Sequence, residues 1–282
     1  MGLAQRPARL YRSWHMRARL SRLAHYALIY REFISNSFAE AMSYRLHFVL
    51  LIVMDLIFYL TVMASVDFLF DHVTHIGPWG RSEFLFFMAF MIAIEHLHMT
   101  FVSENFWNFS YDIRTGNLDF MLLRPVGTLF VVFFRSIRPG TLLNGLFPWA
   151  WLILFGRELG LGPWQWLALP GLVLLGLALL TSIEILISMS MFWIVESMGV
   201  NFLRMQFQQV SRWPDFVYQY FAQKFFSFVI PVLLVGSAPV HFLLDLGQWP
   251  GLVKMLALML LSWLLIGWFW RKGLASYESA SS

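Results

Sequence analysis

Six long apolar segments limit what this chain can fold into. They lie near residues 47–66, 84–102, 129–155, 167–194, 216–243 and 251–270. A helix needs about 20 mostly apolar residues to cross the roughly 30 Å hydrocarbon layer of a bilayer. The chain is 59% hydrophobic and 13% charged, whereas a soluble domain is about 25% charged. The sequence therefore predicts an all-α polytopic membrane protein with six transmembrane helices.

The fifth of these segments differs from the others because two prolines interrupt it. Pro231 and Pro239 each remove a backbone donor, which lipid tolerates only where protein or water covers the gap. We expect a kinked fifth span with a short re-entrant hairpin at the outer face. The hairpin is either an outer gate or a simple bend.

The basic residues predict the orientation, because Lys and Arg collect in cytoplasmic loops. With the N-terminus inside, 17 of the 20 basic residues fall in the N-terminal tail, the loops near 103–138 and 196–224, and the C-terminus. The remaining three are Arg81, Arg157 and Lys254. We therefore expect both termini in the cytoplasm and the chain in the cell inner (plasma) membrane. The net charge of +4 then reflects topology and not nucleic-acid binding.

Residues 1–46 form a basic tail whose apolar side chains recur at three- and four-residue steps. They are Met16, Leu20, Leu23, Ala27, Tyr30, Ile34, Phe38 and Ala41. This spacing predicts an amphipathic helix in the inner membrane interface, followed by a six-helix transmembrane domain at 47–282. The Arg-rich stretch before Glu32 also fits a mitochondrial transit peptide.

Motifs for catalysis or metal binding are missing from the sequence. It has no cysteine, no P-loop and no H-E-x-x-H run. His96 and His98 point about 200° apart on a helix, so they cannot ligate one ion together. Glu95 and His98 share a face, and a satisfied polar cluster is the alternative to a metal site there. We predict no metal site, and an intramembrane enzyme finds no support.

Three carboxylates, Asp55, Glu95 and Glu184, lie inside apolar segments. Each costs about 2.5–3.5 kcal/mol when charged and facing lipid, so each is expected to face the interior, pair or be protonated. One interpretation is a polar lining for a translocation route. The other is hydrogen bonding between helices, with Ser182, Ser188, Tyr59 or a histidine as partner.

The loop near 103–128 carries the most patterned polar stretch, RTGNLDFMLLRP at 114–125. Gly116 and Asn117 predict a turn, and Asn117 can cap a short helix with Asp119 in its first turn. Leu118, Met121 and Leu122 would form a small apolar face, and Pro125 ends the helix. This helix either rests on lipid headgroups or contacts another protein.

Three stretches resemble one family of membrane proteins. GNLDFMLLRPVGTLF (116–130) resembles the loop of type-2 ATP-binding-cassette (ABC) transporter permeases, in a subfamily with a Gly-x-Leu-Asp-x-x-Leu-Leu-[Arg/Lys]-Pro run. SRWPDFVYQ (211–219) and WFWRKGLASYESASS (268–282) are also similar to it. Trp213 departs from the pattern, which has Tyr or a similar residue there.

The resemblance implies a permease subunit, expected to be an exporter, with no catalytic site or cofactor of its own. Two such subunits, identical or sister copies, would pair with two separate ATPase subunits that hold ATP and Mg. The coupling contact with the ATPase is then expected at Gly116, Asp119, Arg124, Pro125, Arg204 and Arg212. The alternative is a proton-coupled secondary transporter that uses Asp55, Glu95 and Glu184 as relays.

Overall fold

Helices account for the regular structure of residues 22–194 and 197–277, which the computed structural model describes. The α-helices of these residues are α1 Arg22–Ser43, α2 Arg45–Leu69, α3 Arg81–Phe101, α4 Ser103–Thr115, α5 Asn117–Leu122, α6 Thr128–Phe134, α7 Leu146–Glu158, α8 Pro163–Ser188, α9 Ser197–Ser211, α10 Tyr220–Phe228, α11 Leu234–Leu244 and α12 Trp249–Ser276. Short 3₁₀ segments lie at Pro139–Gly145, Met189–Phe192, Asp215–Val217 and Leu246–Gln248. No strand occurs within these residues, so the predicted all-α fold is confirmed.

Among the residues that the structure describes, four helices are long and apolar enough to cross a membrane. They are Phe48–Leu69, Arg81–Phe101, Pro163–Phe192 and Leu246–Ser276. These helices correspond to the first, second, fourth and sixth predicted segments. The structure divides the other two segments.

The third predicted segment, 129–155, is divided by Pro139. The residue before a proline is pushed out of the helical region, and Arg138 has φ −103° and ψ 89°. Helix α6 therefore ends before this point, and Pro139–Gly145 starts again as a 3₁₀ helix that leads into α7. Together the 3₁₀ helix and α7 extend for about 33 Å at the usual rises per residue.

The fifth predicted segment, 216–243, is divided into α10 and α11. Pro231 lies between them, and Leu233 N–H donates to the Phe226 carbonyl across the break at 3.1 Å. At 1.5 Å per residue these helices are only about 14 and 16 Å long. Helix α9 was placed by the sequence in a cytoplasmic loop, but it packs against α4, α8 and α11.

Helix α1 contains the described part of the predicted N-terminal amphipathic helix, while residues 1–21 lie outside the described residues. It packs across the start of α6. Gly127 N–H donates to the Tyr26 hydroxyl at 3.0 Å, and the Tyr26 and Phe130 rings meet edge to face at 5.0 Å. Ile137 N–H donates to Ser37 on the same helix at 3.2 Å. These contacts attach α1 to the bundle beside the loop near 103–128.

Helix α3 lies at the centre of the bundle and buries nearly every side chain from Phe84 to Ile94. Helices α2, α7, α8 and α11 surround it. Gly176 permits a close approach between these helices, because a Cβ at that position would meet Ile94 and lie 2.8 Å from the Val235 carbonyl oxygen. That carbonyl lacks its usual helical donor, since residue 239 is proline.

We predict that Gly176→Ala lowers stability, because the new methyl group forces α8 away from α3 and α11. Overpacking of this kind costs about 1–3 kcal/mol. Gly171→Ala is the matched control on the same helix, since a Cβ there meets nothing within 4 Å. The midpoint of thermal unfolding in detergent should fall for Gly176→Ala and stay level or rise for Gly171→Ala. Equal midpoints would show that the helices accommodate the methyl group.

Candidate functional site

The loop near 103–128 folds as two helices joined at a left-handed glycine. Helix α4 ends at Gly116, which has φ 74°, a conformation that glycine adopts at little cost. Helix α5 follows directly as Asn117–Leu122 and carries Asp119 in its first turn. Asn117 was expected to be the cap, but it is the first helical residue, and no side-chain hydrogen bond caps this helix.

Helix α5 buries one side and exposes the other. Leu118 and Met121 are buried in a core cluster with Phe109 and Phe133. Phe120 is 68% exposed and Leu123, just after the helix, is 82% exposed.

Leu122 is 38% exposed, so the exposed apolar face differs from the predicted set of Leu118, Met121 and Leu122. We call Phe120, Leu122 and Leu123 the loop patch. Arg124 and Pro125, which follow it, are also exposed.

Asp119 and the end of the last helix meet beside this patch. Burial raises the pKa of the Tyr277 hydroxyl, and the neighbouring Asp119 carboxylate raises that pKa further. Tyr277 directly follows α12. Tyr277 also packs against the core cluster that contains Leu118, Met121 and Trp270. Two stretches that carry the family resemblance, 116–130 and the described part of 268–282, therefore lie together.

An ion pair holds α4 to the segment after α6. The Arg135 guanidinium lies 2.7 Å from the Asp112 carboxylate, and it also contacts the Met121 sulfur at 2.8 Å. Burial raises the pKa of Asp112, and Arg135 opposes that shift. The loop is thus tied into the bundle by side chains on both of its helices.

The interior contains an ion cluster that joins four helices. Arg204 on α9 donates to Glu184 on α8 at 3.0 Å, and His98 on α3 pairs with the other Glu184 oxygen. The three side chains are at most 1% exposed. The Arg204 guanidinium also lies 4.5 Å from the ring centroid of Phe106 on α4. The pairing offsets part of the cost of placing these charges in an apolar interior.

A second ion pair lies further along α9. Arg212 pairs with Glu95 on α3, and its guanidinium lies 5.1 Å from the Phe58 ring centroid on α2. Asp55 lies near this pair, attracted by Arg138 and repelled by Glu95. One Asp55 carboxylate oxygen is buried without a hydrogen-bond partner among the described residues.

An inner cavity of about 480 Å³ lies between α1, α2, α3, α4, α9 and the 3₁₀ segment at Pro139–Gly145. This volume is within the range of cavities that hold drug-sized molecules. Charged side chains of both signs line it, as do the aromatic rings of Tyr44, Phe48 and Trp107. The charged ones are Glu40, Glu95, Glu104, Arg138, Arg204 and Arg212.

The structure separates the residues that the sequence grouped. Among the three carboxylates, Glu95 lines the inner cavity, whereas Asp55 and Glu184 do not. Arg204 is buried inside the bundle, so this arrangement does not support its contact with a cytoplasmic partner. Arg212, paired with Glu95, is also part of the bundle. The structure therefore does not group either arginine with the loop residues Gly116, Asp119, Arg124 and Pro125.

One sequence signal would have located the two arginines. Arg204, Gln208 and Arg212 recur every four residues, which places three polar side chains along one face of a helix. All three line the inner cavity. Residues 22–194 and 197–277 contain no group of three or more His, Asp or Glu side chains that could hold a metal ion.

Membrane-length helices around a charged interior define a multi-pass α-helical membrane protein. The family model for ABC-2 family transporter proteins matches residues 49–281, and the chain belongs to that family. It is therefore a membrane permease component of an ABC transporter and is not itself catalytic. Permeases of this family generally work with an ABC ATPase. Comparison with curated proteins and with solved structures gives no match.

We predict that Arg204→Met destabilises the bundle strongly, because it leaves the buried Glu184 with only His98 as partner. Removing one member of a buried ion pair costs about 3–5 kcal/mol. Arg212→Met is the comparison and should cost less, since the Arg212 and Glu95 side chains are 21% and 12% exposed. Thermal unfolding in detergent measures both variants. If Arg204→Met unfolds at the midpoint of the native protein, the cluster does not hold α9 in place.

Proposed function

We propose that this permease is an exporter in the cell inner membrane, driven by a separate ATPase subunit that binds ATP and Mg. The observation that carries this proposal is the loop patch. Three apolar side chains of the Gly116–Pro125 motif, Phe120, Leu122 and Leu123, are exposed at one end of the bundle. Exposed apolar surface bordered by polar residues is typical of a protein-binding site.

The contacts support six membrane crossings with both ends in the cytoplasm. Four are the membrane-length helices, and a fifth is Pro139–Glu158. The remaining crossing is α9 with the 3₁₀ segment after it, because Phe216 reaches Trp79 at the start of α3, with ring centroids 4.8 Å apart. In this arrangement α9 crosses the membrane, whereas the sequence predicts a cytoplasmic loop for these residues.

In the same arrangement, α10 and α11 form a hairpin that enters and leaves at the outer side. The turn at Ile230 and Pro231 shares a cavity with Ile183 and Leu261, deep in α8 and α12. The other end of α11 lies at the start of α8, where Gln165 donates to the Leu243 carbonyl at 2.9 Å. Lys224 then lies on the outer side and Arg204 and Arg212 in the membrane. The other fourteen of the seventeen basic residues stay cytoplasmic, as the positive-inside rule requires.

The route of energy coupling follows from what the loop touches. An ATPase bound to the loop patch, Arg124 and Pro125 would move α5 together with α4, since Gly116 joins them without a linker. Asp119 transmits this movement to the end of α12 through Tyr277. Phe106 on α4 transmits it to Arg204 on α9. The contact delivers only the free energy by which closure of the ATPase pair distinguishes inward-open from outward-open states.

The inner cavity supports the inward-open state and export. Its walls include α1 and the cytoplasmic ends of α3 and α4, so a solute reaches it from the cytoplasmic half. Charges of both signs beside aromatic rings suit an amphipathic solute. Helices α2 and α12 bury only 17% of their most apolar stretches, which leaves surface for lipid and for a second permease, identical or sister.

The proton-coupled alternative has less support. A relay needs carboxylates that exchange protons, but Glu184 and Glu95 pair with Arg204 and Arg212. Only Asp55, of the three, has no arginine within ion-pair distance among the described residues. One such carboxylate does not form a relay.

We predict that Leu123→Asp abolishes binding of the ATPase without unfolding the permease, because Leu123 is 82% exposed and contributes little to the core. The measurement is a pull-down of the tagged chain in mild detergent, with mass spectrometry of the proteins retained. Leu246→Asp is the matched control, since Leu246 is 50% exposed and lies between α11 and α12, away from the loop. Equal ATPase recovery with both variants would contradict the docking assignment.

We predict a different defect for Asp119→Lys and for Tyr277→Phe. Both variants disturb the contact between α5 and the end of α12, and neither removes the loop patch. They should keep the ATPase bound but reduce substrate-stimulated ATP hydrolysis and transport, with the larger loss for Asp119→Lys. Unchanged stimulation and transport in Asp119→Lys would eliminate this residue from the coupling route.

A further inference from the structure

A second cavity lies inside the outer hairpin, away from the inner cavity and the loop patch. Its volume is about 210 Å³, and its walls come from α10, α11, the first turns of α12 and Asp215. We call it the outer cavity. Most of its polar groups can donate hydrogen bonds. The polar side chains that line it are Gln223, Lys224, Ser227, Ser237, His241, Gln248 and Lys254, together with Asp215.

Two lysines face this cavity without a carboxylate of their own. Within residues 22–194 and 197–277 neither Lys224 nor Lys254 has a carboxylate oxygen within 4.0 Å. The two charges repel each other, yet both lie against one ring. Lys254 Nζ is 3.5 Å and Lys224 Nζ 5.9 Å from the centroid of Phe228. The cation–π contacts hold two like charges beside the same cavity.

The one carboxylate in the wall, Asp215, contacts other side chains, although its Oδ1 has no hydrogen-bond partner among the described residues. Asp215 accepts a hydrogen bond from Gln223 at 3.3 Å and lies 3.7 Å from His241 Nε2. Its backbone N–H donates to Ser237 at 3.0 Å. Asp215 attracts Lys254 only from a distance. Two lysines and one carboxylate give the outer cavity an excess of positive charge.

The position of Lys254 on α12 makes this excess of positive charge unfavourable in free energy. Lys254 lies five residues into α12, about 8 Å along the helix axis, on a helix whose other side chains from Met255 to Ile266 are apolar except Ser262. Lys224 is exposed, but placing Lys254 in such surroundings beside a second cation is unfavourable unless an anion joins them. A bound anion would gain two charge contacts together with hydrogen bonds from Ser and Gln side chains.

We propose that the outer cavity binds the phosphate group of an anionic amphipath, with Lys224 and Lys254 as the charged contacts. The volume is below the range of about 300–1,000 Å³ that encloses whole drug-sized ligands, so it fits one headgroup with the acyl chains outside. The phosphate belongs either to a phospholipid of the outer leaflet or to a solute that has crossed. This inference rests on the proposed function for the outer placement of the hairpin and for the link to export, while binding itself needs no ATPase.

Native mass spectrometry of the delipidated permease tests the proposal. The probes are dihexanoyl phosphatidylglycerol, dihexanoyl phosphatidylcholine and inorganic phosphate. The native chain should bind phosphatidylglycerol at least tenfold more tightly than phosphatidylcholine. Lys224→Gln with Lys254→Gln should remove this preference. Arg271→Gln with Lys272→Gln, at the cytoplasmic end of α12, is the control of equal charge change and should retain it.

The arms of the experiment also distinguish the sources of the phosphate. If inorganic phosphate displaces phosphatidylglycerol, the site recognises the phosphate itself, as a free solute would present it. If it does not, the site needs the lipid ester. Equal binding of the two lipids by the native chain, or an unchanged preference in the lysine double variant, overturns the proposal.

Folding of the double variant is checked by its thermal unfolding midpoint. Lys224→Gln alone is the second variant, because Lys224 is exposed and the fold does not depend on it. It should lose most of the preference for phosphatidylglycerol, and Lys224→Arg should restore it. These measurements contain no ATPase. The lipid-binding proposal and the ATPase-docking proposal can therefore be contradicted independently of each other.

Discussion

The buried contact between Glu184 and Arg204 is the interaction on which the rest of the bundle depends. Neither charge is tolerated alone in an apolar interior, so α8 and α9 must lie side by side at this level. His98 adds α3 to the cluster, and Phe106 adds α4. Once α9 is held there, Arg212 reaches Glu95. Arg204, Arg212 and Glu95 then lie in one wall of the inner cavity.

This dependence explains which parts of the fold the sequence predicts. Apolar runs of about 20 residues identified four membrane-length helices, because their burial is a local property of composition. Hydropathy does not indicate the crossing proposed for α9, because Arg204, Gln208 and Arg212 lower the hydropathy of this helix. The carboxylate partners of Arg204 and Arg212 lie 20 and 117 residues away along the chain. A single sequence does not reveal such distant pairings. Pro139 divides the third predicted segment by a local effect on Arg138, and a proline is visible in a single sequence.

The loop shows the same division between local and distant information. Its turn at Gly116, its short helix and its acidic first turn follow from neighbouring residues, and the structure contains all three. The exposed face does not follow, because it depends on how α5 rotates after the left-handed glycine. Leu118 and Met121 point into a core built by α4 and α6. This leaves Phe120 and Leu123 exposed. The spacing of apolar residues alone does not tell these exposed side chains from the buried ones.

The inner and outer cavities differ in whether their cationic side chains have carboxylate partners, and this difference bears on the direction of transport. In the inner cavity Arg204 and Arg212 have carboxylate partners supplied by the protein, so a solute enters without having to neutralise them. In the outer cavity Lys224 and Lys254 have none within ion-pair distance among the described residues, so an anionic group gains more there than inside. An anionic amphipath on our proposed route therefore moves toward the stronger attraction as it crosses. Such a gradient favours export only if outward opening admits competing water and ions that release the headgroup.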